Sequence, residues 1–177
     1  MAHALTAVRL MLIVPVTTAF AQPDFLGATT LAGLLFLAIV TDALDGRVAR
    51  MTGTASAAGQ VFDHTTDCLF VASGLLGAAF IGHVPWILPA LVVTAFTQYV
   101  LDSYFLHRQK QLRMSTLGRW NGILYFVPLV LLASARLPLF DVLEPLLRAC
   151  VTLLAYGLIG STLVSMADRA LAPRSAR

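Results

Sequence analysis

The chain has few charged residues and few cysteines, and both shortages limit the classes of protein to which it can belong. Charged residues make up only 12% of the 177 residues, the hydrophobic set makes up 58%, and the mean hydropathy is +0.82. These values lie outside the usual range of soluble globular domains. Cys68 and Cys150 lie far apart in apolar runs, without a Cys-x-x-Cys pair or a histidine at metal-ligand spacing. We interpret both cysteines as small buried apolar residues.

Six apolar segments, each near the length that crosses a bilayer, account for most of the chain. Short breaks that contain Gly, Pro or charged residues separate them. We predict an all-α polytopic membrane protein with six transmembrane helices and a single integral domain over residues 1–177. The first span resembles a signal peptide, but the apolar sequence after it favours an uncleaved helix. The predicted spans are Leu5–Ala21, Phe25 to Asp42 and beyond, Ala57–Ile81, Trp86–Leu106, Leu117–Ser134 and Leu146–Met166.

The basic residues are distributed unevenly between the two sides of this predicted bundle. With a cytoplasmic N-terminus, ten of the twelve lysines and arginines, Arg9 included, belong to inside segments, and only Arg136 and Arg148 lie outside. The positive-inside rule therefore places both termini in the cytoplasm, with the chain in the inner (cytoplasmic) membrane. The same distribution indicates that the basic pI of about 9.2 reflects membrane orientation and not binding to nucleic acid.

Four aspartates border or enter the second and third predicted spans, where charge is costly and usually functional. Asp42 and Asp45 are three residues apart, and Gly59, Asp63 and Asp67 repeat at intervals of four, so each set lies along one helix face. The short turn between the two helices makes them antiparallel neighbours whose acidic faces can meet. Converging carboxylates repel one another unless cations neutralise them, and oxygen ligands suit Mg²⁺, Mn²⁺ or Ca²⁺. Two such cations side by side suit a pyrophosphate substrate.

Small residues beside the carboxylates leave room for a ligand. Gly46, Ala49 and Gly59 remove bulk from one face of each helix, which gives space for a flat group such as a nucleobase. Two other interpretations remain open at this point. Small residues also permit close packing between transmembrane helices, and intramembrane aspartates also form the ion or proton pathways of transporters.

Together these residues form the string D-x2-D-G-x2-A-R-x8-G-x3-D-x3-D between Asp42 and Asp67, without a substitution. The string resembles the complete signature of the CDP-alcohol phosphotransferase family. This resemblance implies a homodimeric integral membrane enzyme that cleaves a CDP-linked substrate, releases CMP and transfers the phosphoryl-bearing part to an alcohol. It also implies two divalent cations, Mg²⁺ or Mn²⁺, as cofactors.

The resemblance also assigns roles to individual positions. It makes Asp42, Asp45 and Asp63 metal ligands, and Asp67 both a metal ligand and the general base for the acceptor hydroxyl. Family members often carry N-x-x-T-x-x-R before the first span, and Thr6 and Arg9 fit this motif although His3 replaces its Asn. Thr6 is equally compatible with a simple helix-start residue. The residues implied for the CDP moiety are Gly46, Ala49, Arg50, Ser56, Gly59 and Thr6.

Two subclasses share the signature, and they differ in the donor. One transfers a phosphatidyl group from CDP-diacylglycerol to a small polar alcohol, and the other transfers from a CDP-aminoalcohol to diacylglycerol. The small, compact chain favours the first. His64, between Asp63 and Asp67, faintly resembles the histidine of the D-H-G-C-D string in choline and ethanolamine phosphotransferases, but it fits better as an interfacial packing residue.

Basic residues in the stretch His107–Trp120, from the end of the fourth span to the start of the fifth, indicate the acceptor. Arg113 and Arg119 occupy the positions where phosphatidylglycerophosphate and phosphatidylinositol-phosphate synthases carry basic residues for the acceptor phosphate, and Lys110 lies nearby. Glycerol 3-phosphate is therefore the first choice of acceptor. Lys110 fits equally well as a contact to anionic lipid headgroups. Asp102 fits both an interfacial position and an acceptor contact.

Overall fold

The computed structural model describes residues 2–51, 57–102 and 116–171. This part of the chain contains seven α-helices, one 3-10 helix and no β-strand, which confirms the all-α prediction. The helices are α1 (Ala2–Ala21), α2 (Ala28–Met51), α3 (Ala57–Phe80), α4 (Ile87–Leu101), α5 (Thr116–Leu124), α6 (Phe126–Ala135), the 3-10 helix Pro138–Leu143, and α7 (Glu144–Leu171).

Tyr125 separates α5 from α6 and interrupts what the sequence predicts as one continuous span. Pro128, in the first turn of α6, has no backbone N–H, so it cannot complete the helical hydrogen bond across this break. The segments Leu117–Ala135 and Pro138–Leu171 are long and apolar enough to cross a membrane. Shorter apolar helices cover Leu5–Ala21, Ala28–Leu44 and Ile87–Leu101. The six-span topology and its orientation stay predictions.

α1 and α3 form a parallel pair at the centre of the bundle. Near their starts, the hydroxyl of Thr6 lies 3.5 Å from Asp63 Oδ1. Towards their ends, the backbone of α1 at Thr17 passes so close to Gly77 that a Cβ there would lie 2.4 Å from the Thr17 carbonyl oxygen. Only glycine permits this approach. The buried side chains around the contact include Val16, Ala19, Phe20, Leu75, Ala78 and Ala79.

Hydrogen bonds to backbone groups organise the end of the bundle opposite the aspartates. Gly82, with φ of 76°, ends α3: its N–H donates to Ala79, and the N–H of His83 donates to Ala78. This is a Schellman cap, which confirms the predicted break at Gly82. Arg136 donates to the carbonyl groups of Ala19, Pro23 and Leu26, and so ties α6 to the α1–α2 turn.

Large apolar side chains cover the outside of the bundle. Met11, Val14, Phe36 and Leu153 are between 68% and 76% exposed. A soluble surface rarely exposes so many large apolar side chains, whereas a lipid-facing surface requires them. Both cysteines are free, but the interpretation of Cys150 as buried is wrong, because it lies exposed on the outer side of α7.

Candidate active site

Three of the four signature aspartates meet at one point. Asp42 on α2 and Asp63 and Asp67 on α3 all direct Oδ1 towards the guanidinium of Arg9 on α1. The Arg9 Nη1 atom lies 2.7 Å from Asp42 Oδ1 and also contacts Asp67, and Nη2 contacts Asp63. The prediction that the acidic faces of the second and third helices meet is therefore confirmed for these three residues.

Arg9 is the main feature of the site that the sequence interpretation missed. Positive-inside counting treats it as one more charge at the membrane surface, but its side chain is fully buried among the aspartates. The signal was present in the sequence, because Arg9 is the last position of the N-x-x-T-x-x-R motif. Thr6, one turn earlier, is also buried, and its hydroxyl faces Asp63. The first helix thus contributes side chains to the acidic centre.

The aspartates open into a cavity of about 570 Å³. Asp42, Asp63, His64 and Asp67 line it beside a largely apolar wall from α2, α3, α4 and α6. The cavity extends from Arg119 to Val130 along α5 and α6, a distance of about 16 Å at the rise of an α-helix. It therefore joins a charged region to a long apolar region. The apolar wall includes Ile39, Val71, Val92, Phe96, Val127 and Val130.

Two arginines line the cavity from the helices at its other side. Arg119, which the sequence resemblance assigns to the acceptor, lies near the start of α5, is exposed and lines the cavity. Arg169, in the last turn of α7, lines it too, and its guanidinium carbon lies 4.9 Å from the ring centroid of Tyr99 on α4. Sequence reasoning did not single out Arg169, because its pairing with Tyr99 joins residues far apart in the chain.

Hydrogen bonds hold α4 and α5 against α7 around the cavity. The Tyr125 and Thr162 hydroxyl groups lie 2.6 Å apart, and Ser161 donates to Asn121 Oδ1 at 2.7 Å. Gln98 Nε2 donates to the carbonyl oxygen of Met166 at 3.1 Å. The Asn121–Ser161 link is close in sequence to Arg119, and the Gln98–Met166 link is close in sequence to Arg169. The Tyr125–Thr162 link lies deeper in the bundle. The three links fix the relative positions of the helices that carry Arg119 and Arg169.

The remaining candidates divide into described and undescribed residues. His64 lines the cavity, so its role is not limited to packing between helices. Gly59 lies one turn before Asp63 on α3. Asp102 directly follows α4 and is not among the described residues that line the cavity. The backbone of Asp45, Gly46, Ala49 and Arg50 continues α2 as predicted, but their side chains lie outside the described part. Ser56, Lys110 and Arg113 lie outside the described residues altogether.

The donor set of this centre fits divalent metal ions. Arg9 supplies one positive charge against the three carboxylate groups that contact it, so the arginine alone does not balance their formal charge. Asp63, His64 and Asp67 also present ligand atoms within 4.8 Å of one another. Carboxylate oxygens are the ligands that Mg²⁺ and Mn²⁺ prefer, and a nearby imidazole is compatible with Mn²⁺.

Comparison with known proteins agrees with this geometry. The profile of the CDP-alcohol phosphatidyltransferase family matches residues 1–167. The chain belongs to this family. The match includes Arg9 and the whole signature, together with all the helices that line the cavity except the last turn of α7. Members of this family use divalent metal ions, in agreement with the donor set at Asp63, His64 and Asp67.

A curated relative extends the comparison. The chain is 26% identical over 134 residues to CDP-diacylglycerol–glycerol-3-phosphate 3-phosphatidyltransferase 2 of Arabidopsis thaliana. The aligned part covers 67% of this chain and 58% of the relative, so the chain spans somewhat more than half the length of the protein it matches. No solved structure matches the chain.

Proposed function

We propose that the protein transfers a phosphatidyl group from CDP-diacylglycerol to a small polar alcohol, with release of CMP, and that the alcohol is glycerol 3-phosphate. The observation that carries this proposal is one cavity lined by three signature aspartates, two arginines and a long apolar wall. The A. thaliana relative is named for the same two substrates, which supports the choice of acceptor and donor.

In the proposed reaction, the acceptor hydroxyl oxygen attacks the phosphorus atom that carries diacylglycerol. The bond from this phosphorus to the oxygen that leads to CMP breaks, and CMP leaves with the bonding electrons. The hydroxyl proton passes to Asp67, because an alcohol is a weak nucleophile until a positioned base removes its proton. The Asp67 side chain is 23% exposed and lines the cavity, so it is accessible to an alcohol there.

The remaining signature residues bind and orient the substrates in this proposal. Asp42, Asp45, Asp63 and Asp67 would hold two divalent cations, Mg²⁺ or Mn²⁺. Such cations stabilise the negative charge of the transferring phosphoryl group and of departing CMP. The CDP moiety would contact Gly46, Ala49, Arg50, Ser56, Gly59 and Thr6, of which Thr6 has a described and buried side chain beside Asp63.

The acceptor phosphate is assigned to the basic residues of the cavity. Arg119 and Arg169 line the cavity from α5 and α7. Lys110 and Arg113 are proposed to bind the acceptor phosphate together with them. A guanidinium group matches the geometry of a phosphate and binds it through two parallel hydrogen bonds. The apolar wall suits the acyl chains of diacylglycerol, which is part of the donor in this reaction. The choice of CDP-diacylglycerol as donor is supported by the small, compact chain and by the name of the A. thaliana relative.

The cellular setting follows from the same features. We place the protein in the inner membrane with six spans, both termini and the active site facing the cytoplasm, in accordance with the positive-inside distribution. A homodimer is proposed from the family resemblance.

The test measures release of CMP by purified protein in detergent. Radiolabelled CDP-diacylglycerol is incubated with Mg²⁺ or Mn²⁺ and with glycerol 3-phosphate, inositol phosphate, serine or glycerol, and Asp67→Asn serves as the matched inactive control. We expect turnover with glycerol 3-phosphate, none after EDTA treatment, and a loss of about 10²- to 10⁴-fold in Asp67→Asn. If no alcohol releases CMP above the level of Asp67→Asn, the proposal is wrong for this donor. CDP-ethanolamine with diacylglycerol then tests the other subclass, and proteoliposome flux tests an ion-coupled transporter.

A further inference from the structure

The guanidinium of Arg9 occupies the place between the aspartates of two helices. Its Nη1 atom contacts Asp42 of α2 at 2.7 Å and Asp67 of α3 at the same time, and Nη2 contacts Asp63. One nitrogen therefore bridges carboxylates from both helices. A divalent cation that joined these helices through the same oxygens would need the position that Nη1 holds.

The burial of the four side chains shows from which side a cation can arrive. The side chain of Arg9 is 0% exposed, whereas those of Asp42, Asp63 and Asp67 are 42%, 26% and 23% exposed. The carboxylates thus face the cavity, and Arg9 lies behind them in the helix bundle. A cation that enters from the cavity meets the carboxylates before it meets the arginine.

The charges explain why the protein needs such a residue. Three carboxylates that converge on one point repel one another when no cation is bound, and this repulsion favours separation of α2 and α3. A buried arginine is also costly unless it is paired, so both partners depend on the contact. Arg9 therefore keeps the metal-free centre assembled. When a divalent cation approaches the aspartates, the positive charge of Arg9 repels it.

We propose that Arg9 is an internal counter-ion that neutralises the aspartates in the metal-free protein and that a divalent cation displaces from the bridge between Asp42 and Asp67. The inference concerns the same site as the proposed function and adds a positioning residue on α1. It rests on metal binding at these aspartates, but it does not depend on which substrates the protein uses.

The test measures Mn²⁺ binding without any nucleotide or alcohol, by the electron paramagnetic resonance signal of free Mn²⁺ in detergent solution. Arg9→Gln removes the charge, Arg9→Lys keeps it without the planar fork, and Arg148→Gln is the control because its ion pair with Glu144 lies at the opposite end of the bundle. We expect Mn²⁺ to bind Arg9→Gln about tenfold more tightly than wild type, which corresponds to about 1.4 kcal/mol of binding free energy. Arg9→Lys should fall between them, and Arg148→Gln should match wild type.

Thermal unfolding of the same proteins provides a second readout. In EDTA, Arg9→Gln should unfold at a lower temperature than wild type, and Mn²⁺ should raise its midpoint by more than it raises that of wild type. If Arg9→Gln cannot be purified without metal, it is prepared in Mn²⁺, and the order of affinities is decided by Arg9→Lys against wild type. Weaker or unchanged Mn²⁺ binding in Arg9→Gln or Arg9→Lys overturns the displacement. Tight binding without CMP release leaves this inference standing while the proposed reaction fails.

Discussion

Gly77→Ala is expected to destabilise the bundle strongly, because the added methyl group forces α1 away from α3. A Cβ at residue 77 would lie 2.4 Å from the Thr17 carbonyl oxygen and 3.1 Å from Phe20 Cβ. Carbon and oxygen atoms in close contact between helices are ordinarily about 3.3–3.6 Å apart, so the two backbones must move apart by about 1 Å. Thr17 lies in the interior of α1, where its carbonyl group is fixed by the helix and cannot rotate away.

The expected cost follows from what the new methyl group meets. Overpacking a core typically costs about 1–3 kcal/mol, and we expect the upper end here because the obstacle is backbone. Gly74→Ala is a graded comparison: its Cβ would meet Leu129 Cδ1 at 2.9 Å, and that side-chain end can turn aside at a cost of about 1 kcal/mol. Gly157→Ala on α7 is the matched control, with nothing within 4 Å and a gain in helix propensity of up to about 1 kcal/mol.

The assay is reversible unfolding in detergent, followed by far-ultraviolet circular dichroism. The expected order of stability is Gly157→Ala at or above wild type, Gly74→Ala slightly below it, and Gly77→Ala well below both. The reasoning is refuted if Gly77→Ala is as stable as Gly157→Ala, because the parallel contact between α1 and α3 would then be looser than the structure has it. Equal losses for Gly74→Ala and Gly77→Ala would contradict the distinction between side-chain and backbone obstacles.

Three further changes test other parts of the structure. Arg136→Gln leaves three backbone carbonyl groups without their charged donor. The free energy of unfolding should therefore fall by about 2 kcal/mol. Burial and then the neighbouring Arg148 hold the pKa of His83 below its ordinary value. The unfolded chain therefore binds more protons below about pH 6.5, and stability should fall as the pH drops through that value in wild type but not in His83→Gln. Arg169→Gln should raise the KM for glycerol 3-phosphate about tenfold or more, whereas kcat with saturating acceptor should change little.

The sequence predicted the helices and the meeting of the aspartates well, because both depend on local patterns. Apolar runs bounded by Gly and Pro defined α3 to within a residue, and Gly82 ends it with the cap that glycine favours. Spacings of three and four residues placed Asp63 and Asp67 on one face of α3, and the short connection brought Asp42 towards them. Nothing beyond helical geometry was needed for these predictions.

Features that depend on contacts between distant segments were not predicted. Arg9 counted as a surface charge because hydropathy patterns carry no information on which basic side chains turn inward. The stacking of Arg169 on Tyr99 joins α7 to α4 and has no local signal. The break at Tyr125 was missed although Pro128 follows it, because proline is tolerated within transmembrane helices and does not by itself locate an interruption.

The packing of α1 on α3 connects the contact at Gly77 to the acidic centre at Arg9. α1 carries no aspartate, yet Arg9 reaches Asp63 and Asp67 because α1 runs beside α3 at the distance that Gly77 permits. Gly77 lies about 15 Å along α3 from Asp67. Thr17 and Arg9 lie on the same helix, α1, so we expect a displacement of α1 at Thr17 to move Arg9 as well. A shift of about 1 Å takes charge-assisted hydrogen bonds beyond their usual length of about 2.7–2.9 Å.

The aspartates of Gly77→Ala then lose much of their counter-ion, and they repel one another most when no metal is bound. Gly77→Ala should therefore destabilise the protein more in EDTA than in saturating Mn²⁺, whereas Gly74→Ala, which displaces only the end of Leu129, should cost the same in both. Equal losses of Gly77→Ala in the two conditions would show that the contact at Gly77 acts on packing alone and that α1 does not carry its displacement to the site.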